Sequence, residues 1–170
     1  TNYFSGDEVL TVDGSLSYSG TTGVAGSISF DGTGKDPVVH YTPTSAGSIY
    51  ASFLLKVTAF DAAAVDGYFG VLRTDSGSYI SRLWISPTST TSYRIGISTG
   101  GALTQIDAPT TDYALNETIL VVFNYDLDNN TTSAWINKGG EVEPTADITE
   151  ASTPTNNTLS QFMVRQDSAT

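Results

Sequence analysis

Apolar and polar residues alternate with a period of two over much of the chain. In Ile49–Phe60, Ala51, Phe53, Leu55, Val57 and Ala59 fall on one side and Ser52, Lys56 and Thr58 on the other. That is the pattern of a strand with one buried face. The same reading predicts strands at Leu10–Thr11, Gly14–Tyr18, Gly26–Phe30, Val38–Tyr41, Tyr68–Arg73, Tyr79–Ser86, Ser92–Ser98, Thr118–Asp126, Thr132–Lys138 and Gln161–Gln166. Turn sequences separate them at short, regular spacing: Thr74–Ser78 (TDSGS), Pro87–Thr91, Thr99–Gly101 and Asp126–Asn130 (DLDNN). A helical pattern is confined to Phe60–Asp66 (FDAAAVD), which is too short to stand alone and reads as a loop or a single turn. The stretch Gly139–Asn157, with Pro144 and Pro154, reads as a long surface loop before the last strand. Some ten short strands with little helix predict an all-β sandwich or barrel. Phe53, Leu55, Val57, Ile95 and Val121 are the expected core between its sheets.

Composition narrows the picture. The 170 residues suit one domain, 1–170, large enough to bury a core without staples. No cysteine is present, so a disulfide framework, a Cys-ligated metal and a thiol nucleophile are excluded. Eighteen acidic residues against seven basic ones give a net charge of −11. That argues against nucleic acid and against an anionic membrane as partners. No apolar run is long enough for membrane insertion as a helix. Only 15% of residues are charged, while 45 are Ser or Thr. Such a chain reads as extracellular β-structure, secreted or held at a cell surface.

Catalytic chemistry finds little support. His40 is the single histidine, so a paired-His metal site is absent, and no G-x-S-x-G elbow accompanies it. The segment Gly32–Asp36 (GTGKD) lacks the first glycine and the final Ser/Thr of a phosphate loop and reads as a hairpin turn. The dense acidic cluster Glu141–Glu150 is interrupted by Pro144 and reads as a solvated loop, not as the carboxylate pair of a glycosidase. Asp126, Asp128 and Asn130 alternate as in a calcium loop, but Thr131 and Asn137 stand where an EF-hand needs Gly and Glu. These three residues are candidate ligands for a looser calcium site. The competing reading is a plain hairpin turn.

The arginines and tryptophans carry more. In the strand Tyr79–Ser86, Tyr79, Ser81, Leu83 and Ile85 alternate with Ile80, Arg82, Trp84 and Ser86; an unpaired Arg is costly to bury, so the Arg82 side should face outward. Alternation with inward Tyr93, Ile95 and Ile97 turns Arg94 outward, and with inward Ala134 and Ile136 turns Trp135 and Asn137 outward. If those strands share a sheet, Arg82, Trp84, Arg94, Trp135 and Asn137 form a face of aromatic platforms and planar donors suited to a polysaccharide. The alternative is that one or both tryptophans are core residues.

Several segments resemble the concanavalin A-like, laminin-G-like jelly-roll domains of large secreted bacterial proteins, especially of Bacteroidetes. They are Gly14–Gly20 (GSLSYSG), Ser48–Val57 (SIYASFLLKV), Gly67–Leu72 (GYFGVL), Ser81–Ser86 (SRLWIS), Tyr93–Ser98 (YRIGIS), Ile119–Asn137 (ILVVFNYDLDNNTTSAWIN) and Phe162–Ala169 (FMVRQDSA). The resemblance implies an antiparallel two-sheet jelly-roll β-sandwich joined covalently to neighbouring domains. The E-x-D-x-x-E strand of the family's hydrolytic members does not occur here. The resemblance leads one to expect an opening strand before Thr1 and a further strand after Ala169. The chain then reads as an excised piece or an inner part of a longer protein. Open sheet edges near Asn2–Val9 or Phe162–Ala169, and self-association through them, are expected. The function this reading predicts is a non-catalytic extracellular carbohydrate-binding module, with no required cofactor. The rival is a structural spacer or adhesion domain of a cell-surface protein with no ligand of its own.

Overall fold

The computed structural model describes residues 10–12, 15–18, 27–30, 35–60, 65–106, 111–138, 143–153 and 157–166. In chain order the strands are β1 (Leu10–Val12), β2 (Ser27–Ser29), β3 (Val38–Thr44), β4 (Ser48–Lys56), β5 (Gly67–Thr74) and β6 (Tyr79–Pro87). There follow β7 (Ser92–Ser98), β8 (Gln105–Ile106), β9 (Tyr113–Ala114), β10 (Thr118–Asp126), β11 (Thr131–Ile136), β12 (Ile148–Ala151) and β13 (Leu159–Val164). No helix occurs among the described residues. Two antiparallel sheets face each other. The larger has the order β3-β13-β5-β6-β7-β8, with β9 also on β7; the smaller has the order β12-β11-β10-β4. A separate ribbon pairs β1 with β2.

The turns do what their sequences predict. Between β5 and β6 the amide of Gly77 donates to the Thr74 carbonyl at 3.0 Å, and Gly77 takes φ +88, which a side chain disfavours. Between β10 and β11, Asn130 takes φ +52, the left-handed region that Asn tolerates best after Gly. Alternation then turns one side of each sheet inward. Leu72, Leu83, Tyr93, Ile95 and Ile97 from the larger sheet meet Ile119, Val121, Phe123, Tyr125 and Ala134 from the smaller in one buried core. Phe53 and Leu55, on the edge strand β4, are half-buried and close that core. The Phe53 ring lies 6.1 Å from Phe69 and 6.0 Å from Phe162 across the sandwich.

Four expectations are corrected. Gly14–Tyr18 forms no strand over its described part, where Tyr18 makes a single bridge. The stretch read as a long loop contains β12, which pairs with β11 and extends the smaller sheet. A β-bulge between Leu72 and Arg73 shifts the β5–β6 register, so Ile80 packs into the core and Tyr79 faces outward. Finally, β13 lies between β3 and β5, so Phe162–Val164 is the middle of a sheet and not its edge. Among the described strands the edges are β3 on one side and β8 and β9 on the other in the larger sheet, and β4 and β12 in the smaller. Residues 2–9, residues 61–64 and the residues after Gln166 lie outside the described residues.

Candidate functional site

Because Leu83, Ile95 and Ile97 point into the core, Arg82, Trp84 and Arg94 stand on the outer face of the larger sheet. Trp84 is directly across from Gly96, and Arg82 from Ser98. Outward does not mean open. Trp84 is only 6% exposed. Its Nε1 donates to Ser98 Oγ at 2.8 Å, and Tyr68 meets its ring edge-on at a centroid distance of 5.1 Å. Beside it Val38, Val71 and Met163 form a small outer cluster under Tyr68 and Tyr79. A β-sheet face this apolar needs a cover, and the long aromatic side chains supply part of it.

The guanidinium groups are organised by those rings. Arg82 Cζ sits 5.4 Å from the centroids of both Tyr68 and Tyr79, and Arg165 Cζ lies 4.4 Å from Tyr68. These are cation–π distances. Arg82 Nη1 also donates to the Gly100 carbonyl, while its buried Nε has no partner among the described residues. Further along the face, Arg73 Nε donates to Gln161 Oε1 at 2.5 Å. Arg94 Nε donates to Asp112 Oδ1 at 2.6 Å, so its charge is matched by a carboxylate. All four arginines of the chain therefore lie on one side of one sheet. Sequence reasoning found Arg82 and Arg94 through alternation but missed Tyr68, Tyr79, Arg73 and Arg165. The strand partners of Tyr68 and Tyr79, and the bulge that turns Tyr79, are not local properties.

Trp135 and Asn137 do not join that face. β11 belongs to the smaller sheet, so its outward side looks the opposite way from that of β6 and β7. The five predicted residues are split three and two between opposed faces. Trp135 is also 6% exposed; its Nε1 donates to the Pro144 carbonyl at 2.6 Å. Asn137 closes the strand instead: it takes φ +56, its amide donates to the Leu120 carbonyl and its Oδ1 accepts from the Leu120 amide at 2.9 Å. The acidic loop is anchored here. Lys138 Nζ lies 2.6 Å from Asp147 Oδ1 and donates to the Thr145 carbonyl, and Asp147 Oδ2 accepts from the Ile136 amide. Glu143 remains exposed and accepts from the Tyr50 hydroxyl at 3.3 Å.

The calcium candidates form a self-contained turn. Asp126 Oδ1 accepts from the amides of Asp128 and Asn129, and Oδ2 accepts from Asn129 Nδ2 at 2.8 Å. The Asn129 side-chain bond, joined by these backbone bonds, holds the Asp126 carboxyl below its ordinary range. Asn130 Oδ1 turns away from it to accept from the Tyr125 hydroxyl at 3.3 Å. Among the described residues no three His, Cys, Asp or Glu side chains converge as a metal site. His40 is exposed on β3, across from Gln161 of β13.

No protein-family model matches the chain, and no curated protein matches it. Among solved structures it is similar to the native heptameric SAP-like pentraxin from Limulus polyphemus. The TM-score is 0.53 at 10% identity, covering 82% of this chain and 69% of that one. Likeness at that identity defines the fold alone: an antiparallel jelly-roll β-sandwich.

Proposed function

We propose that this chain is a non-catalytic carbohydrate-binding module of a secreted or cell-surface bacterial multidomain protein. In this reading it takes an acid-bearing polysaccharide on the outer face of the larger sheet. The observation that carries the reading is the gathering of Arg73, Arg82, Arg94 and Arg165 on that face in a molecule of net charge −11. Guanidinium groups held against tyrosine rings are ordered before a ligand arrives, which lowers the cost of binding. They match uronate or sulfate groups in planar, charge-assisted pairs. Non-catalysis is supported by how the carboxylates are used: Asp36, Asp66, Asp147 and Glu150 accept hydrogen bonds that fix the backbone or neighbouring side chains. Calcium is not needed in this scheme, since both oxygens of Asp126 are engaged by its own turn.

The test is affinity electrophoresis and calorimetry against alginate, a sulfated galactan and a neutral glucan. Retardation by the acidic polymers is expected. Arg165→Gln or Arg82→Gln should weaken it tenfold or more, about 1.4 kcal/mol, with the melting temperature little changed. Equal binding of the neutral glucan, or no effect of either substitution, would remove the proposal.

One observation favours a second reading. Both tryptophans are buried, so neither is an open stacking platform. A structural spacer or adhesion domain without its own ligand has that appearance, and it predicts no retardation by any polymer.

A further inference from the structure

On the other side of the sandwich the outer face of the smaller sheet has a different character. Tyr50 and Val65 are the large hydrophobic side chains left exposed among the described residues, and Tyr50 is 50% exposed. Its ring is not loose. It packs at 6.1 Å and 36° against Trp135, and its hydroxyl donates to Glu143. In the sheet, Tyr50 of β4 is directly across from Asn124 of β10, which is across from Ser133 of β11. Asn124 is 5% exposed, and its buried Oδ1 accepts no hydrogen bond among the described residues. Buried acceptors of this kind ordinarily have a donor.

Tyr50 and Glu143 ask for the same complement. An exposed aromatic ring face attracts a cation. The exposed Glu143 carboxylate accepts from the Tyr50 hydroxyl and has lone pairs left for a further donor. Lys138, the neighbouring cation, is held by Asp147 and the Thr145 carbonyl. Lys56 is six residues along β4 from Tyr50, about 20 Å away. The net charge of −11 draws cations toward the molecule at long range. We propose that this face is a second saccharide subsite, selective for an amino sugar whose ammonium group sits on Tyr50 beside Glu143.

This subsite does not depend on the arginine face, and its test separates the two. The probes are the fully deacetylated glucosamine hexamer and its N-acetylated counterpart, titrated calorimetrically at pH 5.5. The deacetylated hexamer is expected to bind at least tenfold more tightly, and the preference should fade as salt rises. Tyr50→Ala and Glu143→Gln, both at exposed positions, should each weaken it about tenfold with the melting temperature retained. Asp75→Asn removes one negative charge on the opposite sheet and should leave binding unchanged, as should Arg165→Gln. Equal affinity for the two hexamers, no binding of the deacetylated one, or an equal loss in Asp75→Asn would overturn the subsite.

Discussion

Trp84 faces away from the core yet is buried, because Tyr68 and the Ser98 hydroxyl close over it. Trp84→Ala is therefore expected to cost about 3–5 kcal/mol in a urea titration, a value ordinary for a buried tryptophan. An unchanged midpoint would mean that the ring is free to serve as a platform. The phenols give a pH signature. Burial pushes Tyr41 up to about 12. Burial, aided by the charge of Glu117, pushes Tyr93 higher still. The unfolded phenols ionise near 10, so above that pH the unfolded state loses protons first and stability falls as pH rises. Alkaline unfolding is expected to begin above about pH 10, with the absorbance of these two tyrosines appearing only on unfolding. Asp126 works in the opposite sense: its folded value is depressed, so its contribution is complete at neutral pH and lost as pH falls through that value. Asn129→Ala should move the Asp126 carboxyl back toward its ordinary range, read by NMR titration. The neutral-pH stability loss should be below about 1 kcal/mol, because the group is exposed, and should vanish in acid. Chelation with EDTA should leave the melting temperature unchanged; a rise of several degrees with calcium would show Asp126, Asp128 and Asn130 rearranging to hold the ion.

At the scale of elements, β7 depends on a glycine. A Cβ at Gly96 would lie 2.5 Å from Leu103 Cδ1 and 2.9 Å from the Gln105 carbonyl oxygen. The second of these is backbone of β8, which cannot turn aside as a side chain can. Gly96→Ala should cost about 1–3 kcal/mol and loosen β8 from β7, visible as faster amide exchange at Ile97 and its neighbours. Unchanged exchange would mean that β8 contributes little to that edge. A glycine inside an otherwise clean strand is the sequence sign of such a close approach. The acidic stretch divides in a way its composition does not announce. Residues 144–147 are pinned by Trp135, Lys138 and the Ile136 amide, and the end of the stretch becomes β12. Charge density alone cannot tell a solvated loop from an edge strand, since an edge strand has one hydrogen-bonding side and commonly carries charged residues.

At the scale of the molecule, the four arginines and the Tyr50–Glu143 pair lie on opposite outer faces. Salt should weaken amino-sugar binding, because local and long-range attraction are screened together. For an acidic polymer the arginines attract while the net charge of −11 repels, so the net effect of salt should be small. A steep loss of acidic-polymer binding with salt would mean that the arginine face acts alone. Much of this was written in the chain. Period-two alternation placed ten strands and turned Leu83, Ile95, Ile97 and Phe53 inward, and Asp, Asn and Gly marked the hairpins; these are local effects of pleat and backbone conformation. Alternation states only which side of its own strand a residue takes. It does not say which strands are neighbours, and pairing joins residues far apart in sequence. Only the tertiary structure could put Trp84 and Trp135 on opposite faces, bury both, gather Arg73 and Arg165 beside Arg82, and leave Tyr50 exposed beside Glu143.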